Sequence, residues 1–186
     1  MSISILADAR SGWIYTRTED NGSRFTLGRI GDLAEKTLAC FGINSSTASP
    51  DRLDPTVNKV SVLAKANGYF NWVMLNVYPM RQTDPNGLPG DPDAELVDTN
   101  LSEIRRVVGK YHPDILFAYG NLIGKRKYLR ECLKGIIGIL KSMGYDDVLI
   151  IKLTKSGNPV HPLYQPKDSK FEKVLLDDLL VRLGSD

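Results

Sequence analysis

The chain has 186 residues, 42% hydrophobic and 25% charged, with 24 basic and 22 acidic side chains for a formal charge of +2. That length and composition suit one soluble globular domain, and the near-balanced charge neither requires nor excludes nucleic acid, since a protein that coats DNA is more basic. No run approaches the roughly 20 apolar residues that span a bilayer, and the start lacks the basic stretch and sustained apolar region of a secretion signal.

In chain order, Trp13-Ile14-Tyr15 and Arg24-Phe25-Thr26-Leu27 flank Asn21-Gly22. Asn-Gly readily takes the positive φ angles of a tight turn, so this segment predicts a β-hairpin. It is read as an N-terminal extension over residues 1–30 of a single domain whose α/β core occupies 31–186. Residues 38–43 form an apolar run of strand length that ends at Asn44-Ser45-Ser46-Thr47. After Asp54-Pro55, Val57, Val60, Leu63 and Ala64 have helical spacing, and Gly68 stops them. Residues 72–75 predict a second strand, followed by a Pro/Gly-rich loop over 79–92 and a helix carrying Leu101, Ile104, Val107 and Val108. Residues 115–119 predict a third strand, and Leu129, Leu133, Ile136, Ile137 and Leu140 mark the next helix. Residues 148–151 predict the fourth strand and 154–167 a loop. Phe171, Val174, Leu175 and Leu179 are spaced as a last amphipathic helix.

Wholly apolar strands alternating with helices imply a parallel sheet covered on both faces. The expected fold is therefore a three-layer α/β/α domain with a central four-stranded parallel sheet. In such sheets ligands bind at the carboxyl ends of the strands. Asn44, Asn76, Asn121 and the 154–164 loop are thus expected to meet in one crevice. Cys40 and Cys132 lie in apolar segments without metal-ligand spacing and read as buried, reduced thiols. Two distant histidines and no thiolate pair make no zinc site, and there is no Walker loop, GxGxxG or GxSxG context. No metal and no cofactor are expected.

Four constellations carry the polar chemistry: Gly42-Ile43-Asn44-Ser45-Ser46-Thr47 with Asp54-Pro55-Thr56; Asn76-Val77-Tyr78-Pro79-Met80-Arg81-Gln82-Thr83-Asp84-Pro85; Tyr119-Gly120-Asn121; and Thr154-Lys155-Ser156-Gly157-Asn158-Pro159 running into His161-Pro162-Leu163-Tyr164. In this order they resemble the bacterial and phage family of unknown function DUF1643, across residues 24–166. That family carries Pro where this chain has Ser45, which predicts a looser turn here. Phe41-Gly42-Ile43-Asn44, the helix containing Asn58, and His161-Pro162 are in turn similar to motifs of the uracil-DNA glycosylases, chiefly their mismatch-specific branch. This second resemblance implies a uracil-DNA-glycosylase-like fold. It makes Asn44 a water-positioning residue, His161 a donor to a base carbonyl and Asn76 a reader of the base edge. The reduced cysteines imply a reducing compartment, so the expected location is the cytoplasm, of a bacterial or phage-infected cell.

On this reading Asn44 and His161 are the catalytic candidates. Ser45, Ser46, Asp54, Asn76, Arg81, Thr83, Asp84, Asn121, Lys155 and Tyr164 are the ligand-binding ones. Several have a plainer alternative: Asn44 as a turn residue, Asp54 as a helix N-cap, Arg81 and Asp84 as an ion pair, Lys155 as a solvated loop residue, and Tyr164 as a cover for the core edge. His112 reads as structural at a helix C-terminus. Lys125-Arg126-Lys127 reads as a solvated helix start or a phosphate contact, and residues 156–159 as a wedge for base flipping. The expected partner is a nucleobase, nucleotide or DNA. Three functions stay open: an N-glycosidase, a non-catalytic nucleotide-binding or sequestering protein, and a protein-interaction scaffold. The oligomeric state cannot be read from the sequence.

Overall fold

The computed structural model describes residues 3–8 and 12–184. Four apolar runs become strands β4 (Thr37–Ser45), β5 (Asn71–Arg81), β6 (Asp114–Phe117) and β7 (Asp147–Ile150). They pair parallel, β4 with β5 and β6, and β6 with β7. These four are the centre of a larger sheet. Strands β1 (Ile3–Asp8), β2 (Trp13–Thr18) and β3 (Arg24–Arg29) join antiparallel at the β5 edge, and β8 (Glu172–Leu175) joins antiparallel at the β7 edge. The result is an eight-stranded mixed sheet of order β1-β2-β3-β5-β4-β6-β7-β8, in place of the expected four-stranded parallel one.

The hairpin accounts for most of this difference. Asn21 takes φ 59 at its turn, as its sequence predicts. The hairpin is nevertheless no appendage, because Leu27, Gly28 and Arg29 pair with Met74, Val73 and Trp72 of β5. A Cβ on Gly28 would lie 2.7 Å from the Trp72 carbonyl oxygen, so the close approach of these strands requires glycine. The C-terminal segment differs too. Residues 172–175 form strand β8, and the helix α4 (Leu176–Gly184) begins only after it, burying Leu176, Leu179 and Leu183. The helical spacing of 171–179 yields to tertiary pairing with β7, whose backbone groups would otherwise be an open edge.

Side-chain alternation divides the core. Ala39, Phe41 and Ile43 of β4 and Val73, Leu75 and Val77 of β5 pack with helices α2 (Ala94–Tyr111), α3 (Lys127–Ser142) and α4. Leu38 and Cys40 of β4 and Trp72 and Met74 of β5 face the other way, against helix α1 (Pro55–Ala66) through Val57, Val60, Leu63 and Ala64. On the α1 face the next residues along each strand are Gly42 and Asn76, which sit opposite each other in the β4–β5 register. The apolar core therefore stops at one level and a gap opens there. Among the described residues no helix is long and apolar enough to cross a membrane.

Candidate functional site

The gap is a cavity of about 190 Å³ at the carboxyl ends of the parallel strands. Gly42 and Asn76 form part of its floor together with Met74 and Arg24. A Cβ on Gly42 would stand 3.8 Å from both Asn76 Oδ1 and the Met74 methyl, so the missing side chain is what leaves the space open. Asn76 is 1% exposed. Its Nδ2 donates to the Arg24 carbonyl at 3.2 Å, while its Oδ1 is buried with no partner among the described residues.

The walls come from four other segments. Asn44, at the end of β4, donates through Nδ2 to the carbonyls of Ser45 (2.9 Å) and Gln82 (2.7 Å), which ties the two strand ends together. Asp54 caps α1 by accepting from the Val57 amide at 2.9 Å, and Pro55 follows at the first helical position. Tyr119 and Leu122 close the side beyond β6. His161 enters from the loop after β7, where Gly120 takes φ +66 and donates its amide to the Pro159 carbonyl at 2.8 Å. A Cβ on Gly120 would lie 3.3 Å from His161 Cβ, so this glycine allows the loop to seat its histidine.

Burial holds the His161 imidazole below its ordinary pKa, with the charge of Asp54 opposing that shift. Its Nδ1 accepts from the Leu163 amide at 3.4 Å, a contact that favours the neutral tautomer protonated on Nε2. Among the described residues no group of three or more His, Cys, Asp or Glu side chains is arranged to hold a metal ion.

Six of the candidates expected from sequence line this cavity or its rim: Asn44, Ser46, Asp54, Asn76, Thr83 and His161. The others fall elsewhere. Ser45 is fully buried, and its hydroxyl donates to the Pro79 carbonyl at 2.9 Å. The β4–β5 register jumps here from Asn44–Tyr78 to Ser45–Arg81, so Ser45 closes a bulge instead of loosening a turn. Arg81 ends β5 and is not in the predicted loop. Its guanidinium donates to the carbonyls of Ser46 and Ala48 and to the Tyr15 hydroxyl, and it lines an adjoining open groove that shares Ser46, Gln82 and Thr83 with the cavity. Asp84 is exposed and accepts from the Asn86 amide at 2.9 Å, organising a local turn.

Asn121 lies outside the cavity. Its exposed Oδ1 accepts from Thr154 (2.9 Å) and Asn158 (3.0 Å), pinning the 154–158 turn. Lys155 is exposed away from the cavity lining, and Tyr164 is 85% exposed, so it neither covers the core nor enters the site. His112 is the left-handed C-cap of α2, with φ 43. Arg126 holds the 86–89 loop by donating to the carbonyls of Asn86, Leu88 and Pro89. Asn58 is exposed, and its side chain donates to the Leu53 carbonyl at 3.4 Å.

The sequence reading missed Arg24, Thr56, Gln82 and Tyr119 as cavity residues. Arg24 is the most consequential. Antiparallel pairing of Leu27 with Met74, and the Ser23–Met80 bridge, bring the start of β3 beside the carboxyl end of β5. The signal available in the sequence was a charged residue placed directly before the strand residues Phe25 and Leu27.

Fold and site together define a mixed α/β protein with a small polar cavity at the carboxyl ends of its parallel strands. The chain belongs to the family described as "Protein of unknown function (DUF1643)", whose model matches residues 24–163. That span contains every residue lining the cavity. No curated protein and no solved structure matches the chain.

Proposed function

We propose that the protein is a uracil-DNA-glycosylase-like N-glycosidase that takes one nucleobase into this cavity and cleaves its bond to the sugar. The observation that carries the reading is that Asn44, Asp54, Asn76 and His161, from separate segments, line one space. At about 190 Å³ the space is smaller than the roughly 300–1,000 Å³ of pockets that enclose drug-sized ligands. It suits a base, with sugar and phosphate left at the rim. The four parallel strands, covered by helices on both faces, support the same assignment.

Cleavage moves the C–N electron pair onto the departing base while a water oxygen bonds to the sugar carbon. Donors already aimed at the base oxygen lower the barrier, because they need no reorganisation as charge develops. His161 Nε2–H is such a donor. Asn76 Oδ1 has no protein partner and accepts a base N–H. Asn44 has its Nδ2 fixed by two carbonyls, which leaves Oδ1 to orient water, and Asp54 receives the water proton. A base within duplex DNA has first to be flipped out of the stack.

The test is release of free base from modified or mismatched oligonucleotides and from a panel of nucleosides and nucleotides. Wild type releases base from at least one substrate. Asn44→Ala and His161→Ala lower the rate about 100-fold or more while keeping the wild-type melting temperature. Absence of release across the panel removes the enzymatic reading. A non-catalytic binding protein is the second reading, favoured by the structural duties of Asn44 and of Asp54, whose Oδ1 caps α1. It predicts a raised melting temperature with a nucleotide or base and no turnover.

A further inference from the structure

Arg24 is among the largest fully buried side chains, 1% exposed, and it lines the cavity floor. A guanidinium has five N–H donors. Arg24 uses one of them, from Nη1 to the Ala48 carbonyl at 3.1 Å, and its Nε is buried with no acceptor. Among the described residues no carboxylate is hydrogen-bonded to it. The nearby Arg81 donates to the same Ala48 oxygen at 3.2 Å, so two positive groups converge on one carbonyl. Burial, and then the charge of Arg81, pull the Arg24 pKa down to about 10, with Asp54 acting in the opposite direction.

A buried charge is tolerated when acceptors saturate it, and it is costly when they do not. Hydrogen bonds within the fold do not saturate this one, and it lies on the cavity lining. Asn76 lines the same cavity: its Oδ1 is buried with no partner among the described residues, and its amide nitrogen is already committed to the Arg24 carbonyl. The cavity lining thus holds both an incompletely paired cation and an unpartnered neutral acceptor.

We infer that Arg24 is the anion-receiving group of the cavity: it holds a ligand oxygen that carries, or gains during the reaction, a full negative charge, while Asn76 Oδ1 takes the neighbouring N–H. This deepens the N-glycosidase reading and rests on it for the identity of the oxygen. As the C–N bond breaks, its electron pair enters the base ring and settles on the oxygen facing Arg24. The proton given up by water passes to Asp54 and then to the base nitrogen. A ligand phosphate offers the same oxyanion chemistry, but its acceptor-only oxygens would be repelled by Asn76 Oδ1, so the floor favours the edge of a base.

Calorimetric titration with three probes tests this: nitrouracil, which is ionised at neutral pH, uracil, which is neutral and close in shape, and inorganic phosphate. Wild type binds nitrouracil at least tenfold more tightly than uracil. Arg24→Met and Arg24→Gln abolish that preference, and Arg24→Lys restores part of it. Phosphate binding that depends on Arg24, with no binding of either base, keeps Arg24 as an anion site but removes the base reading. A wild-type protein that binds no anion, or an Arg24→Met protein that binds one as wild type does, overturns the proposal. Gly42→Val guards against misfolding of the Arg24 variants, because it fills the cavity and leaves Arg24 intact. It loses the anion, and unchanged binding in this variant also overturns the proposal.

Discussion

Two buried charges meet strand β3 two residues apart, and they are treated in opposite ways. Thr26 donates at 2.8 Å to Glu103, a carboxylate 7% exposed on α2. Arg106 grips the same carboxylate with Nε at 2.7 Å and Nη2 at 2.8 Å. Burial alone would push the Glu103 carboxyl up, but hydrogen bonds from Arg106, Thr16 and Thr26 outweigh it and hold the pKa below the ordinary value. Arg24, two residues earlier, makes one side-chain hydrogen bond among the described residues and lines the cavity. The saturated charge fastens α2 to the hairpin. The unsaturated one ties β3 to the Ala48 carbonyl by a single bond, and this difference is what sets Arg24 apart as a candidate to receive a ligand.

The largest effect should come from breaking the saturated side. Glu103→Ala strands the hydroxyls of Thr16 and Thr26 and frees Arg106, and is expected to cost about 3 kcal/mol in urea unfolding. A loss within about 0.5 kcal/mol would mean that the network holds nothing. Acid probes the same group more gently. Its folded pKa lies below the unfolded value of 4.5, so its contribution is complete above 4.5 and lost as the pH falls through the folded value. Glu103→Gln should flatten that part of the stability–pH curve, and superimposable curves would contradict the assignment.

On the unsaturated side the sign reverses. Arg24→Met should raise stability by about 1 kcal/mol, since it removes a buried charge that the Ala48 carbonyl and the Asp54 charge compensate only in part. A loss of about 2 kcal/mol or more would make Arg24 a structural residue like Glu103. The smallest effect is expected at the rim: Tyr164→Ala and Lys155→Ala should each stay within about 0.5 kcal/mol of wild type and leave ligand binding unchanged.

Much of this site could be read from strand patterning. Alternation along β4 and β5 locates the α1 face, and on that face apolar Cys40 and Met74 give way to Gly42 and Asn76, which marks where the core ends. Asp54-Pro55 announces a helix start, and the start of α1 forms a wall of the cavity. What could not be read was pairing between distant segments. Nothing local reports that the hairpin docks antiparallel on β5 and carries Arg24 to the floor. Nor does helical spacing reveal that residues 172–175 pair with β7. Asn121 and Ser45 show a further limit, because a polar residue at a strand end serves the loop backbone as readily as a ligand.

The docking of the hairpin also bears on where this protein can be cut for expression. The family span begins at Arg24, the first residue of β3, and so retains every cavity residue while omitting β1 and β2. A recombinant fragment starting there would leave one edge of β3 without its hydrogen-bonding partner, an open template for strand addition by neighbouring molecules. Such a fragment should be recovered as aggregate, and one that keeps β1 and β2 as soluble protein. The sequence boundary of the family and the physical boundary of the sheet are therefore two strands apart.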